Sequence, residues 1–119
     1  MKKSGKNSAS TALKPVISAE ARRDLKEIQS YIAEDKESPQ TAVRVIEKIL
    51  DRIETLLSFP DSGTQLSPKV DFPTNYRYLR EAGYHIFYRH EDNKIFVDRV
   101  IHGKRNYLVI LFPKSEEEE

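Results

Sequence analysis

The chain has 119 residues, 38% hydrophobic and 33% charged, enough for one hydrophobic core and too few to bury two comfortably. It contains no cysteine, which excludes a disulfide framework and a thiolate metal site, and no apolar run approaches the ~20 residues of a membrane span, so a soluble cytoplasmic protein is the default expectation. The net charge of +1 hides an asymmetry: four of the nineteen acidic residues form the run Glu116 to Glu119, and without them twenty basic residues face fifteen acidic ones, a balance of +5.

Residues 1–12, MKKSGKNSASTA, are small and polar, lack the apolar core of a signal peptide, and are expected to be a flexible leader. The domain is expected over 13–112. Leu13 to Ile17 reads as a first strand, with Pro15 suited to a sheet edge. Ser18 offers an N-cap, and Ala21, Leu25, Ile28 and Ile32 then recur on one helical face, which predicts a helix from Ala19 to Asp35. Ser38-Pro39 is a second start signal. Beyond it Ala42, Ile46, Ile49, Ile53 and Leu56 form a stripe, widened by Val45, Leu50 and Leu57, that ends near Ser58-Phe59-Pro60. The short break between the helices predicts an antiparallel hairpin, whose apolar stripes need a second layer to cover them.

Residues 60–75, with three prolines and a glycine, read as a long surface loop, and loops of that length are often functional. The period then changes to two. Tyr76 to Arg80, Tyr84 to His90 and Ile95 to Ile101 are aromatic and β-branched runs separated by Glu81-Ala82-Gly83 and by Glu91 to Lys94, which predicts three antiparallel strands. Either Tyr84, Ile86 and Tyr88 or the opposite parity, with Phe87, faces the helices. Leu108 to Phe112 is too short for a membrane and too apolar for water, so it is expected to pack back on the body. Pro113 ends it, and an acidic tail over 113–119 is expected to be disordered.

For chemistry, His85, His90 and His102 lack metal-ligand spacing, and Gly63, Gly83 and Gly103 are too far apart for a phosphate loop, so neither metal nor cofactor is expected. The remaining candidates are basic and aromatic. Residues 76–107 hold seven lysines and arginines against four acids, with five tyrosines among them. Arginine grips phosphate, tyrosine stacks on a base and histidine moves a proton near neutrality, the three kinds of help that metal-free RNA cleavage needs. Tyr78, Tyr84 and Tyr88 equally suit half-buried sheet positions, and Arg77 and Arg89 could be cross-strand partners of Glu81 or Asp98. His102, Arg105 and Tyr107 end a strand and precede an apolar anchor, an arrangement that holds polar groups at a surface.

Three tracts together resemble the RelE/ParE superfamily, the toxins of bacterial type II toxin-antitoxin modules. They are Lys14-Pro15-Val16-Ile17-Ser18 with Ala21, Asp24 and Leu25; Leu79 through Gly83-Tyr84 to Tyr88; and Val97 through Arg99, His102-Gly103-Lys104-Arg105 to Tyr107. The resemblance implies an α+β fold: an N-terminal strand, an antiparallel two-helix hairpin and a three-stranded antiparallel sheet. It also implies a cognate antitoxin that wraps and silences the toxin in a hetero-oligomer. Members similar to RelE cut ribosome-bound mRNA. Arg105 matches their turn arginine, while His85, Tyr78 and Leu111 stand where those enzymes keep other residues. If the chain is a metal-independent endoribonuclease, His102, Arg105, Tyr107 and His85 are its catalytic candidates. Members similar to ParE poison DNA gyrase instead, and Arg99 to Arg105 looks closer to that branch. Arg77, Arg80, Arg89 and Lys104 are the target-binding candidates, and a non-toxic binding module is the third alternative.

Overall fold

Ser18 converts the first strand into the first helix. Its hydroxyl accepts the Ala21 N–H at 2.9 Å and donates to the Asp98 carbonyl at 2.9 Å, so the cap of the helix is also fastened to a distant strand. The computed structural model describes residues 14–113; Leu13, the expected leader and the acidic run beyond Pro113 lie outside the described residues. Strand β1 is Lys14–Ile17, and helix α1, Ala19–Ser30, continues into a π-helical turn over Tyr31–Asp35. The expected helix to Asp35 is therefore present in extent, with its last turn widened. Glu37, at φ 53°, reverses the chain into α2, Pro39–Glu54, which tightens to a 3-10 turn over Thr55–Leu57. Ser38 differs from its expected role: its hydroxyl bonds the Thr41 hydroxyl at 2.6 Å and caps no backbone N–H.

The sheet is larger than expected. Two residues of the presumed loop, Thr64–Gln65, form β2, followed by β3 at Arg77–Glu81, β4 at Tyr84–Glu91 and β5 at Lys94–His102, in the order β1-β5-β4-β3-β2. β1 pairs with β5 in parallel and every other pair is antiparallel. The first strand thus belongs to the same sheet as the last three: the helical hairpin carries the chain from β1 at one edge to β2 at the other, and the antiparallel run β2-β3-β4-β5 then returns it beside β1. Both predicted hairpins close on two residues with positive φ, Ala82 (56°) with Gly83 (87°) and Asp92 (50°) with Asn93 (64°), the turn that matches strand twist.

The open parity resolves in favour of Tyr84, Ile86 and Tyr88, which face α1 and α2 in a core with Ile49, Val97 and Val100. Phe87 is equally buried on the opposite face, with Tyr78, Ile101 and Leu66, under a short helix α3 at Tyr107–Leu111. The apolar run after the basic segment packs back as expected. Fully burying a side chain such as Ile86 or Phe87 contributes about 1.5–3 kcal/mol, so each face is substantially stabilised by its own layer. Between Phe87 and Tyr88 the ladder slips: Phe87 lies opposite Arg99 and Tyr88 opposite Val97, which makes Asp98 the extra residue of a bulge. The slip lets Val97 and Val100, three apart, reach the same core.

Candidate functional site

The β3–β4 turn and the 103–106 turn lie side by side, joined by a Gly103 N–H bond to the Gly83 carbonyl at 2.9 Å. His85 sits beneath them. Its ring stacks on Tyr107 with centroids 4.8 Å apart and on Phe87 at 5.7 Å, and Gly103 is tolerated there because a Cβ would come within 3.1 Å of that ring. Nδ1 of His85 is buried and has no hydrogen-bond partner among the described residues, an arrangement least costly for a bare lone pair. Burial, and then the positive charge of Arg80, Lys69 and His102, push its pKa below 6.5, so the imidazole is neutral at neutral pH.

His102 is directly opposite Tyr84 and therefore on the helix side of the sheet, its ring edge-on to that tyrosine at 5.1 Å. Its Nδ1 accepts the Lys104 N–H at 3.0 Å. Together with Arg105 it lines a cleft of about 410 Å³ against α1, bordered by Glu27, Tyr31 and Tyr84. His85, opposite Ile101, is on the other side of the sheet with Tyr107. The four residues named as catalytic candidates are thus separated into two pairs by the sheet: His102 with Arg105, and His85 with Tyr107.

The target-binding candidates also divide. Arg77 donates to the carbonyls of Asp61 (3.1 Å) and Gly63 (2.9 Å), with the Asp61 carboxylate 3.8 Å away, so its partner is the loop and not Glu81. Glu81 instead faces Arg52 at 3.6 Å. Arg89 binds Asp98 at 2.8 Å and Glu91 at 2.8 Å and lies over the Phe96 ring. Asp98 also accepts the Tyr76 hydroxyl at 2.7 Å. The Asp98 hydrogen bond raises the Arg89 pKa, and burial followed by the same carboxylate raises that of Tyr76. Arg80 and Lys104 are exposed and, among the described residues, pair with no carboxylate; the same holds for Arg105 and Lys69.

Lys69 had only one sequence signal, its place in a loop of unusual length. The clasp between Arg99 and buried Asp24 had none, since the partners are 75 residues apart: two guanidinium bonds of 2.8 and 2.9 Å and a Val100 N–H bond of 2.9 Å fasten α1 to β5. Asp61 and His90 form a further pair at 3.0 Å. Among the described residues no group of three or more histidine or acidic side chains is placed to hold a metal ion, and no helix is long and apolar enough to cross a membrane.

The fold is similar to a solved chain of the chromosomal ParDE TA system from P. aeruginosa, with a TM-score of 0.62 at 17% identity, covering 77% of this chain and 97% of that one. No curated protein matches significantly. The family model of the ParE toxin of type II toxin-antitoxin systems matches residues 16–107, from β1 to the first residue of α3. The chain belongs to the ParE toxin family of type II toxin-antitoxin systems.

Proposed function

We propose that the chain arrests growth by binding DNA gyrase, without cutting RNA. The observation that carries this reading is the division of His102 and Arg105 from His85 and Tyr107 by the sheet. General acid–base cleavage needs its groups within hydrogen-bond reach of one phosphodiester. On the α3 side the aromatic faces that would receive a base are stacked on one another, and His85 is held neutral. A protein partner asks less: a surface with charge that is unpaired among the described residues, as at Arg80, Lys104 and Arg105.

An antitoxin silences the toxin in this reading, in a hetero-oligomer, and both act in the cytoplasm where gyrase is found. The test is induction without the antitoxin, together with a supercoiling assay on the purified protein. DNA breakage, SOS induction and blocked supercoiling with intact message are the expected results. Cleaved mRNA with undamaged DNA would overturn the reading.

A further inference from the structure

The cleft of about 410 Å³ between α1 and the end of β5 holds opposite charges that do not meet. Arg105 and His102 enter its lining from the end of β5 and the turn after it, Glu27 from α1. Neither Arg105 nor Glu27 forms an ion pair among the described residues. Asp24, the other acid of the lining, is taken up by Arg99 and the Val100 N–H, which leaves Glu27 to face a ligand. The Lys104 N–H occupies Nδ1 of His102, so the neutral ring carries its proton on Nε2 and is a donor there. Between these groups the lining is apolar, with Ile28 and Val100 both buried. Tyr31 adds an aromatic ring that is 47% exposed. It also opens the π-helical turn, its N–H shared between the carbonyls of Glu27 and Ile28, and turns of that kind inside helices recur at functional sites.

We propose that this cleft binds a free nucleotide, its phosphate on Arg105 and His102, its base against Tyr31 and the edge of the base on Glu27. Each part of the lining then meets the chemistry it suits. A guanidinium grips phosphate through two parallel N–H bonds, and an exposed tyrosine ring offers a base a face to stack on. A cleft of this volume is within the range that small ligands occupy. Glu27 selects the base. Guanine carries two N–H donors side by side on its pairing edge, which one carboxylate accepts together, whereas adenine sets a donor beside an acceptor and turns a lone pair towards the carboxylate. Guanine is therefore the favoured base. The inference concerns ligand binding without cleavage and is independent of the toxin's target.

The test titrates the full chain with guanosine 5′-monophosphate, adenosine 5′-monophosphate, ribose 5-phosphate and a trinucleotide that begins with the same guanosine phosphate. Calorimetry gives the affinities, and backbone amide resonances locate the binding. The expected result is saturable guanosine monophosphate binding that shifts Glu27, Tyr31, His102 and Arg105 together, with adenosine monophosphate and ribose 5-phosphate each at least ~tenfold weaker. Glu27 and Arg105 are exposed, so changing them leaves the fold in place. Arg105→Ala should weaken both monophosphates roughly tenfold, and Glu27→Gln should bring guanosine and adenosine monophosphate to about equal affinity. Absence of shifts at the cleft residues would overturn the proposal. So would ribose 5-phosphate binding as well as the nucleotide, since the contact would then be with a plain anion. A trinucleotide that binds more than ~tenfold tighter than the monophosphate would replace a free nucleotide with a strand as the occupant.

Discussion

The two ends of the sheet use the same residue type for opposite purposes. At the end near the β4–β5 turn, Arg89 is tied to Asp98 and Glu91, while Arg77 holds the 61–63 loop. At the other end Arg80, Lys104, Arg105 and Lys69 have no carboxylate partner among the described residues. An arginine enclosed by acids is part of the fold, and its charge is unavailable to a partner. An unpaired one keeps its field for association. The count of basic residues over 76–107 therefore overstates the binding surface, and position relative to the bulge at Asp98 decides which cations belong to it.

The contrast is most strongly broken at the clasp. Asp24→Ala removes a buried acceptor from both Arg99 and the Val100 N–H and is expected to cost about 3 kcal/mol in urea denaturation. Arg89→Ala is expected to lower stability by about 1.5 kcal/mol by leaving Asp98 with the Tyr76 hydroxyl alone; growth arrest should then fall only as the folded fraction falls. The double reversal Arg80→Glu with Lys104→Glu should do the reverse. Its denaturation midpoint should hold while inhibition of supercoiling weakens at least ~tenfold. Equal losses of stability in the two variants would remove the distinction between the ends.

A smaller effect separates the ends by pH. The folded-state pKa of His85 is depressed by burial, so below 6.5 the unfolded chain binds more protons than the folded one. Its contribution to stability is fully present above 6.5 and is lost as the pH falls from there through the folded pKa. His85→Phe should flatten that part of the stability profile, measured by denaturation at successive pH values. The smallest expected change is in the turn itself. Ala82 is held at φ 56°, where a Cβ is strained, so Ala82→Gly should raise stability by about 0.5 kcal/mol after the entropy cost of glycine.

Much of the fold was legible because it rests on local periodicity. The four-three spacing of Ala21, Leu25, Ile28 and Ile32 and the alternation around Ile86 each reflect one face meeting a core, and Ala82-Gly83 and Asp92-Asn93 announce their turns chemically. Pairing between distant segments leaves no such trace. That β1 runs parallel to β5, that Thr64 and Gln65 add an edge strand and that Asp24 meets Arg99 all depend on how the hairpin lies on the sheet.

The segment His102 to Tyr107 shows where the boundary falls. Its basic and aromatic character, and its place between a strand and an apolar anchor, were determined by sequence alone. Tertiary structure decided which side of the sheet each side chain takes. Cross-strand register sets His102 beside Tyr84 and His85 beside Ile101, and the turn then carries Tyr107 over to the His85 side. Residues close in the chain thereby came to lie on opposite faces of one sheet, because alternation along a strand separates neighbours that spacing alone would group together.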